Sequence, residues 1–363
     1  MVTTKDIGLL RLVAQRVVGP GLPGAVDVVR HMTAMQAQAF AASVEAVAVR
    51  STDRDPHEVV AALNRGEIVR SWPMRGTLHL TPAEDLSWML TVTADRMLAA
   101  AARRRAELGI DDAMIERARA LAVDALAGGR SLSRDELMGV WYYAGMLEVK
   151  QRGYHLLWHL AQHGHLVLGP VEDRKQRIVL LDEWVPRPRL LDREQALGEW
   201  ALRYFRSHGP ATLKDFAWWT KVTMADARTG LAIARPELAT LDVDGAEHLM
   251  DPAAPALLGD LGRKARATVL LPAFDEMILG YQDRTATLPA EHAGRVVPGA
   301  NGVFKPVVVS GGRAVGTWRR VGRGRVGEKG RPVDVEPFTS LTTTTQRTVP
   351  RVADSYPVAP VAG

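Results

Sequence analysis

Apolar residues recur at three- and four-residue spacing through "TTKDIGLLRLVAQRV" and "GAVDVVRHMTAM", the period of an amphipathic helix. A third helix is predicted through "AFAASVEAVAV" and a fourth through "PHEVVAALNRGE". The period then shortens to that of a strand in "IVRSWPMRGTLHLT", with a tight turn near Pro73 and Gly76. The same succession of helices and then strands returns twice. In the second copy, Ser133 and Glu136 form a capping box ahead of "LMGVWYYAGM". "QRGYHLLWHLAQHG" reads as a helix and "HLVLGPVEDRKQRIVLLDEW" as two strands around a charged turn. In the third copy, Thr212 and Asp215 flank the start of a short helix, and "MADARTGLAIA" reads as another helix. Asp244-Gly245 then marks a hairpin in "LATLDVDGAEHLMD".

Helix, turn, helix and hairpin is the winged helix-turn-helix plan, here expected three times in tandem within an α+β chain. The expected boundaries are 1–90, 91–190 and 191–262 for the three winged helices. A β-rich domain follows over 263–338, on the strength of "TVLLPAFDEMILGY", "GVFKPVVVSGGRAVGTWRRV" and "RPVDVEPF". The segment 339–363 is rich in Thr and Pro, shows no periodicity, and is expected to be a disordered tail.

Composition narrows the function without choosing it. At 363 residues, with 47% apolar and 24% charged side chains, the chain can build sizeable cores. No apolar run is long enough to span a bilayer, and the N-terminus lacks a signal-peptide pattern. Cysteine is absent, which excludes disulfides, thiol nucleophiles and Cys-ligated metals. Together these features lead to an expected cytoplasmic location. The net charge of +5 is carried mostly by arginine, whose flat fork pairs bidentately with phosphate. That composition is compatible with nucleic acid.

Several motifs fail on inspection. "GRGRVG" at 322–327 matches the dinucleotide fingerprint literally, but "EKGRPVDV" follows it and would not start a helix, so no nucleotide cofactor is expected. The stretch instead reads as an arginine-loaded hairpin, in which Arg319, Arg320, Arg323 and Arg325 are candidate phosphate contacts, joined by Arg75 in the first wing. His155, His159 and His163 lie four apart, with His165 beyond, yet no H-E-x-x-H or third carboxylate accompanies them. A partly exposed helix face is expected there, and no metal. Trp158, Trp218 and Trp219 fall at helix-core spacing. No Ser-His-Asp set and no P-loop is present.

"HMTAMQAQAF" places Gln36 and Gln38 at a helix–helix junction. Residues two apart diverge on a helix but point the same way in extended backbone, where both amides could enter one cleft. Spacing alone equally permits two backbone-capping glutamines. "MQAQ", taken with "SWPMRGTLHLTPAEDL", "RYFRSHGPATLKDFAWWT", "LLPAFDEMILGYQDR" and "AVGTWRR", resembles the winged-helix DNA glycosylases of the AlkZ and YcaQ type, from the first helix to about Phe338. The resemblance implies a C-shaped, basic DNA-binding channel of three winged helices and a β-domain. It also implies a catalytic Gln-x-Gln motif falling on Gln36, Ala37 and Gln38. The implied activity is monofunctional: hydrolysis of the N-glycosidic bond of cationic alkylated purines (N7-alkylguanine, N3-alkyladenine), including bulky or crosslinked adducts of a genotoxic natural product, with an abasic site left behind. The implied partner is double-stranded DNA carrying alkylated bases, bound by a monomer without cofactor. A glutamine amide is a poor general base, but a cationic base leaves without an acid, so placing a water and favouring an oxocarbenium sugar would suffice. The alternatives are a non-catalytic winged-helix DNA-binding protein or regulator, and a protein-interaction scaffold.

Overall fold

A computed structural model describes residues 4–300, 302–322 and 332–361. The chain forms two compact units, residues 1–59 with 197–363, and residues 60–196. Neither boundary coincides with the expected one near residue 90, because the first hairpin shares its sheet with the second.

The first unit opens with α1 (Thr4–Ala14), α2 (Ala25–Met32), the two-residue strand β1 (Met35–Gln36) and α3 (Phe40–Arg50). The helix α4 (Pro56–Asn64) crosses the boundary between units. In the second unit come β2 (Ile68–Met74), β3 (Thr77–Pro82), α5 (Leu86–Glu107), α6 (Asp112–Leu126), α7 (Arg134–Tyr143), α8 (Arg152–Gln162), β4 (Leu166–Glu172), β5 (Lys175–Leu180) and a single helical turn, α9 (Leu181–Trp184). Helices α5 and α6 fill a stretch for which the periodicity reading assigned no element. The hairpins β2–β3 and β4–β5 are antiparallel and join side by side through Arg70 opposite Leu168, in the order β3-β2-β4-β5. Ser133 caps α7 in the expected reciprocal box with Glu136. Trp72, Trp141, Trp158, Leu156, Leu160 and Ile178 form the core beneath the sheet.

The chain re-enters the first unit through α10 (Arg193–His208), α11 (Leu213–Thr220), α12 (Met224–Ala234) and the hairpin β6 (Ala239–Val243) and β7 (Ala246–Met250). Thr212 and Asp215 again make a capping box. The hairpins β2–β3, β4–β5 and β6–β7 each close on two residues of positive φ (Arg75-Gly76, Asp173-Arg174, Asp244-Gly245), the geometry that matches the right-handed twist of the strands. Beyond lie α13 (Ala254–Leu261), β8 (Val269–Leu271), the short turns α14 (Glu276–Leu279) and α15 (Ala293–Val296), then β9 (Val307–Ser310), β10 (Arg313–Arg320) and β11 (Val333–Pro337). These strands form an antiparallel sheet in the order β11-β10-β9-β8. "TVLLPAFDEMILGY" is thus only briefly a strand, because Asp275 accepts the Met277 N–H and starts a helical turn.

The expected disordered tail is corrected. Residues Thr343–Asp354 form α16, capped by Thr342, with Thr345, Val349 and Ala353 buried on one face. Val349, Ala353 and Tyr356 join Trp318, Val308 and Leu271 in the core of the C-terminal sheet. The stripe has the i, i+4, i+8 helical period, but its small residues, the run of threonines and the internal Pro350 hide it in the sequence.

Candidate active site

The helix α2 stops abruptly. Thr33, a β-branched residue, takes φ 68° and ψ −50°, and the Ala34 N–H reaches back to the Met32 carbonyl at 2.8 Å. This is a γ-turn of the rare, strained hand. It breaks the helix one turn before the motif, so Met35 and Gln36 run extended before α3 begins at Phe40. Gln36 and Gln38 therefore lie in non-helical backbone, flanked by two helices.

The two side chains differ in exposure. Gln36 is 7% exposed, whereas Gln38 faces solvent. The Gln38 N–H donates to the Gln36 Oε1 at 3.2 Å, which turns the Gln36 amide towards its partner in the motif and leaves that oxygen a second lone pair. Capping of a local backbone group, raised above as the bland account, is thus present for Gln36. It does not consume the amide.

Beneath the motif sits a residue that sequence reading did not single out. The Gln36 N–H donates to Glu276 Oε1 at 2.9 Å, and the Trp219 indole N–H donates to the other carboxylate oxygen at 2.9 Å. His208 Nε2 lies 3.6 Å from that same oxygen. Glu276 is 1% exposed, so these donors stand in for water around a carboxylate that would otherwise be costly to bury. Gly280 makes room: a Cβ there would come within 2.7 Å of both the Glu276 carbonyl oxygen and the His208 ring. Tyr204 stacks on His208 at 4.8 Å and 14°, and its hydroxyl donates to the Gly280 carbonyl at 2.9 Å.

The neighbouring Asp275 anchors the far end of α3. Arg50, the last residue of that helix, grips it bidentately at 2.8 and 2.9 Å, and also donates to the Gln15 Oε1 at 2.8 Å. The Gln15 amide donates in turn to the Tyr281 hydroxyl, which donates to the His208 carbonyl. Burial pushes the Tyr281 phenol well up, against the pull of the Arg11 guanidinium 3.5 Å above its ring, so it serves as a neutral donor. The dipeptide Asp275-Glu276 thus holds both ends of the segment from Gln36 to Arg50. The signal available in the sequence was an Asp-Glu pair set among apolar residues in "LLPAFDEMILGY".

The candidate arginines are not a set of unengaged cations. Arg319 is exposed on β10 and pairs with its cross-strand neighbour Asp334 at 2.7 Å. Arg320 turns inward between Trp318 and Tyr356 and donates to the buried Glu45 at 3.0 Å. Burial pushes the Glu45 carboxyl above its usual range, against the Arg320 charge and the Ala359 N–H. Arg75, in the tip of the β2–β3 hairpin, lies 3.0 Å from the His79 Nε2. Arg323 and Arg325 lie outside the described residues.

The histidine row is partly exposed as expected, with His155 and His165 half-buried and His163 exposed, and only His159 departs from it. His159 is 1% exposed rather than part of an open face, and neither ring nitrogen has a hydrogen-bond partner among the described residues. Burial first, then Arg105, lowers its pKa to about 4. Among the described residues no group of three or more His, Asp or Glu could hold a metal ion, and no helix is long and apolar enough to cross a membrane.

Comparison with known proteins places the chain in a family and a fold. The chain is 26% identical over 318 residues to an interstrand DNA cross-link repair glycosylase of Streptomyces sahachiroi, covering 82% of this chain and 83% of that protein. Its fold superimposes on the solved structure of the Streptomyces sahachiroi DNA glycosylase AlkZ with a TM-score of 0.79, over 99% of both chains at 23% identity. The pattern of the AlkZ-like DNA glycosylases matches residues 29–356, and the chain belongs to that family of hydrolases acting on N-glycosyl bonds.

Proposed function

We propose that the protein hydrolyses the N-glycosidic bond of cationic alkylated purines in double-stranded DNA, with Gln36 and Gln38 as its catalytic residues. The observation that carries this reading is the placement of the two amides in non-helical backbone, with the Gln36 peptide held by a buried carboxylate. A purine alkylated at N7 or N3 already bears the positive charge that an acid would otherwise supply. The C1′–N bond breaks with its electron pair going to the base, which departs neutral, and the charge passes to the sugar as an oxocarbenium ion. Water adds at C1′ and its proton is lost to solvent, leaving an abasic site. Preorganised amide oxygens favour the cationic sugar and orient that water without themselves accepting a proton. The three helix-then-hairpin modules serve as winged helices that bind duplex DNA, with the exposed Arg319 and the half-buried Arg75 as phosphate contacts. The protein works as a monomer without metal or cofactor. Because the chemistry leans on the lability of the lesion rather than on a strong base, bulky and crosslinked adducts fall within its reach.

The lesion class tests this. Duplexes carrying N7-methylguanine, N3-methyladenine, uracil or 8-oxoguanine are incubated with the protein, and free base and abasic sites are measured. Release of the two cationic bases, unaffected by EDTA and with no adduct trapped by borohydride, is expected. Efficient uracil excision, metal dependence or a trapped Schiff base would each contradict the mechanism.

A further inference from the structure

The catalytic reading leaves Glu276 without a task. It lies on a different stretch of chain from the motif, 240 residues away in sequence, and yet its carboxylate is hydrogen-bonded to the peptide of Gln36. A carboxylate buried to 1% exposure is an expensive way to accept one backbone N–H, since a backbone carbonyl would do the same. What a carboxylate offers is two oxygens in a fixed plane. Here one oxygen takes the Gln36 N–H and the other takes the Trp219 indole N–H, both at 2.9 Å. The indole is itself locked, since Trp219 is fully buried on α11 and packs against Tyr204 and His208. The strained γ-turn at Thr33 sits three residues upstream of Gln36. A backbone held in such a conformation persists only when its surroundings overdetermine it.

We infer that Glu276 is a positioning residue for the glycosylase site: braced by Trp219, it fixes the Gln36 peptide plane and so the directions of the Gln36 and Gln38 amides. This rests on the catalytic reading of the two glutamines. The consequence is kinetic. Misplacing a reacting group by about 1 Å can cost on the order of 100-fold in rate, whereas DNA binding spread over many phosphate contacts is insensitive to one loop.

The test is single-turnover release of N7-methylguanine from duplex DNA with the enzyme in saturating excess, alongside DNA affinity and melting temperature. Under saturation the rate constant does not depend on the folded fraction, so a purely structural role leaves it unchanged. Glu276→Gln retains the shape but sets an amide N–H2 against either the Gln36 N–H or the indole N–H. It is expected to lower the rate constant by about 10- to 100-fold with DNA affinity within about twofold of wild type. Should Glu276→Gln not yield folded protein, Trp219→Phe removes the brace while keeping an aromatic side chain, and a loss of about threefold or more is expected. A wild-type rate constant in the folded variant, whatever its melting temperature, overturns the assignment. Gln38→Ala in the same assay separates the two claims. If it too retains the wild-type rate constant, the catalytic reading has failed; if it is slow while Glu276→Gln is not, only the positioning role has.

Discussion

Arg50 and Asp275 form a bidentate ion pair at 2.8 and 2.9 Å, with both side chains almost completely removed from solvent. The pair ties the end of α3 to the residue beside Glu276. Removing one partner of such a pair strands the other charge in a low-dielectric interior. Asp275→Asn is therefore expected to destabilise the protein by about 3–5 kcal/mol, read as a large drop in the urea midpoint. A midpoint shift worth less than about 1 kcal/mol would mean that water reaches Arg50.

The C-terminal segment is part of the fold. Tyr356 is 2% exposed, packs edge-on against Trp318 at 5.0 Å and hydrogen-bonds Glu45, and the Ala359 N–H donates to the same carboxylate. Tyr356→Ala should cost about 3–5 kcal/mol, the usual cost of truncating a large buried aromatic. Calorimetry checks this, and an unchanged melting temperature would show that the segment is not docked in solution.

Arg319 and Arg320 should behave differently although they are adjacent. Arg320→Met strands the buried Glu45 and should lower stability by about 1–3 kcal/mol, with DNA affinity retained by the folded protein. Arg319, with 80% of its side chain exposed, pairs with Asp334 at the surface, where an ion pair is worth little. Arg319→Glu should weaken binding to all duplex sequences alike and reduce the slope of log affinity against log salt by about 1. Salt-titrated fluorescence anisotropy separates the two. An Arg320→Met protein that keeps its stability but loses DNA affinity would reverse the assignment.

These two arginines show where the sequence stopped being legible. Repeated periods, capping boxes and two-residue turns are local properties, and Ser133, Thr212 and Asp244-Gly245 stand as read. Alternation along a strand cannot say whether Tyr356, just beyond α16, covers one of two adjacent arginines. Nor could it reveal that Glu276 lies beneath Gln36, since the two are 240 residues apart in the chain. The broken backbone at the motif was legible as a junction between helical patterns. Its cause, the γ-turn at Thr33, was not, because a β-branched residue is a poor candidate for positive φ.

His159 provides a pH signature. Its folded pKa of about 4 lies below the unfolded value near 6.5, so the unfolded chain binds the proton more readily. Its contribution to stability is therefore complete above pH 6.5, falls as the pH drops from 6.5 towards 4, and levels off below that. Between pH 7.5 and pH 5 the loss from this residue should approach about 2 kcal/mol. Urea unfolding at the two pH values measures it, and His159→Leu should remove that part of the dependence. A wild-type protein equally stable at both values would show that the ring is solvated.

The central claim is that two amides supply the chemistry. Its most direct measurement is the single-turnover rate of N7-methylguanine release by the Gln36→Ala/Gln38→Ala double variant, set against its DNA affinity. A role confined to the transition state lowers the rate and leaves ground-state binding in place. The expected result is a fall of about 100-fold or more in the rate constant with DNA affinity within about twofold of wild type. Wild-type base release by the folded double variant would contradict the account.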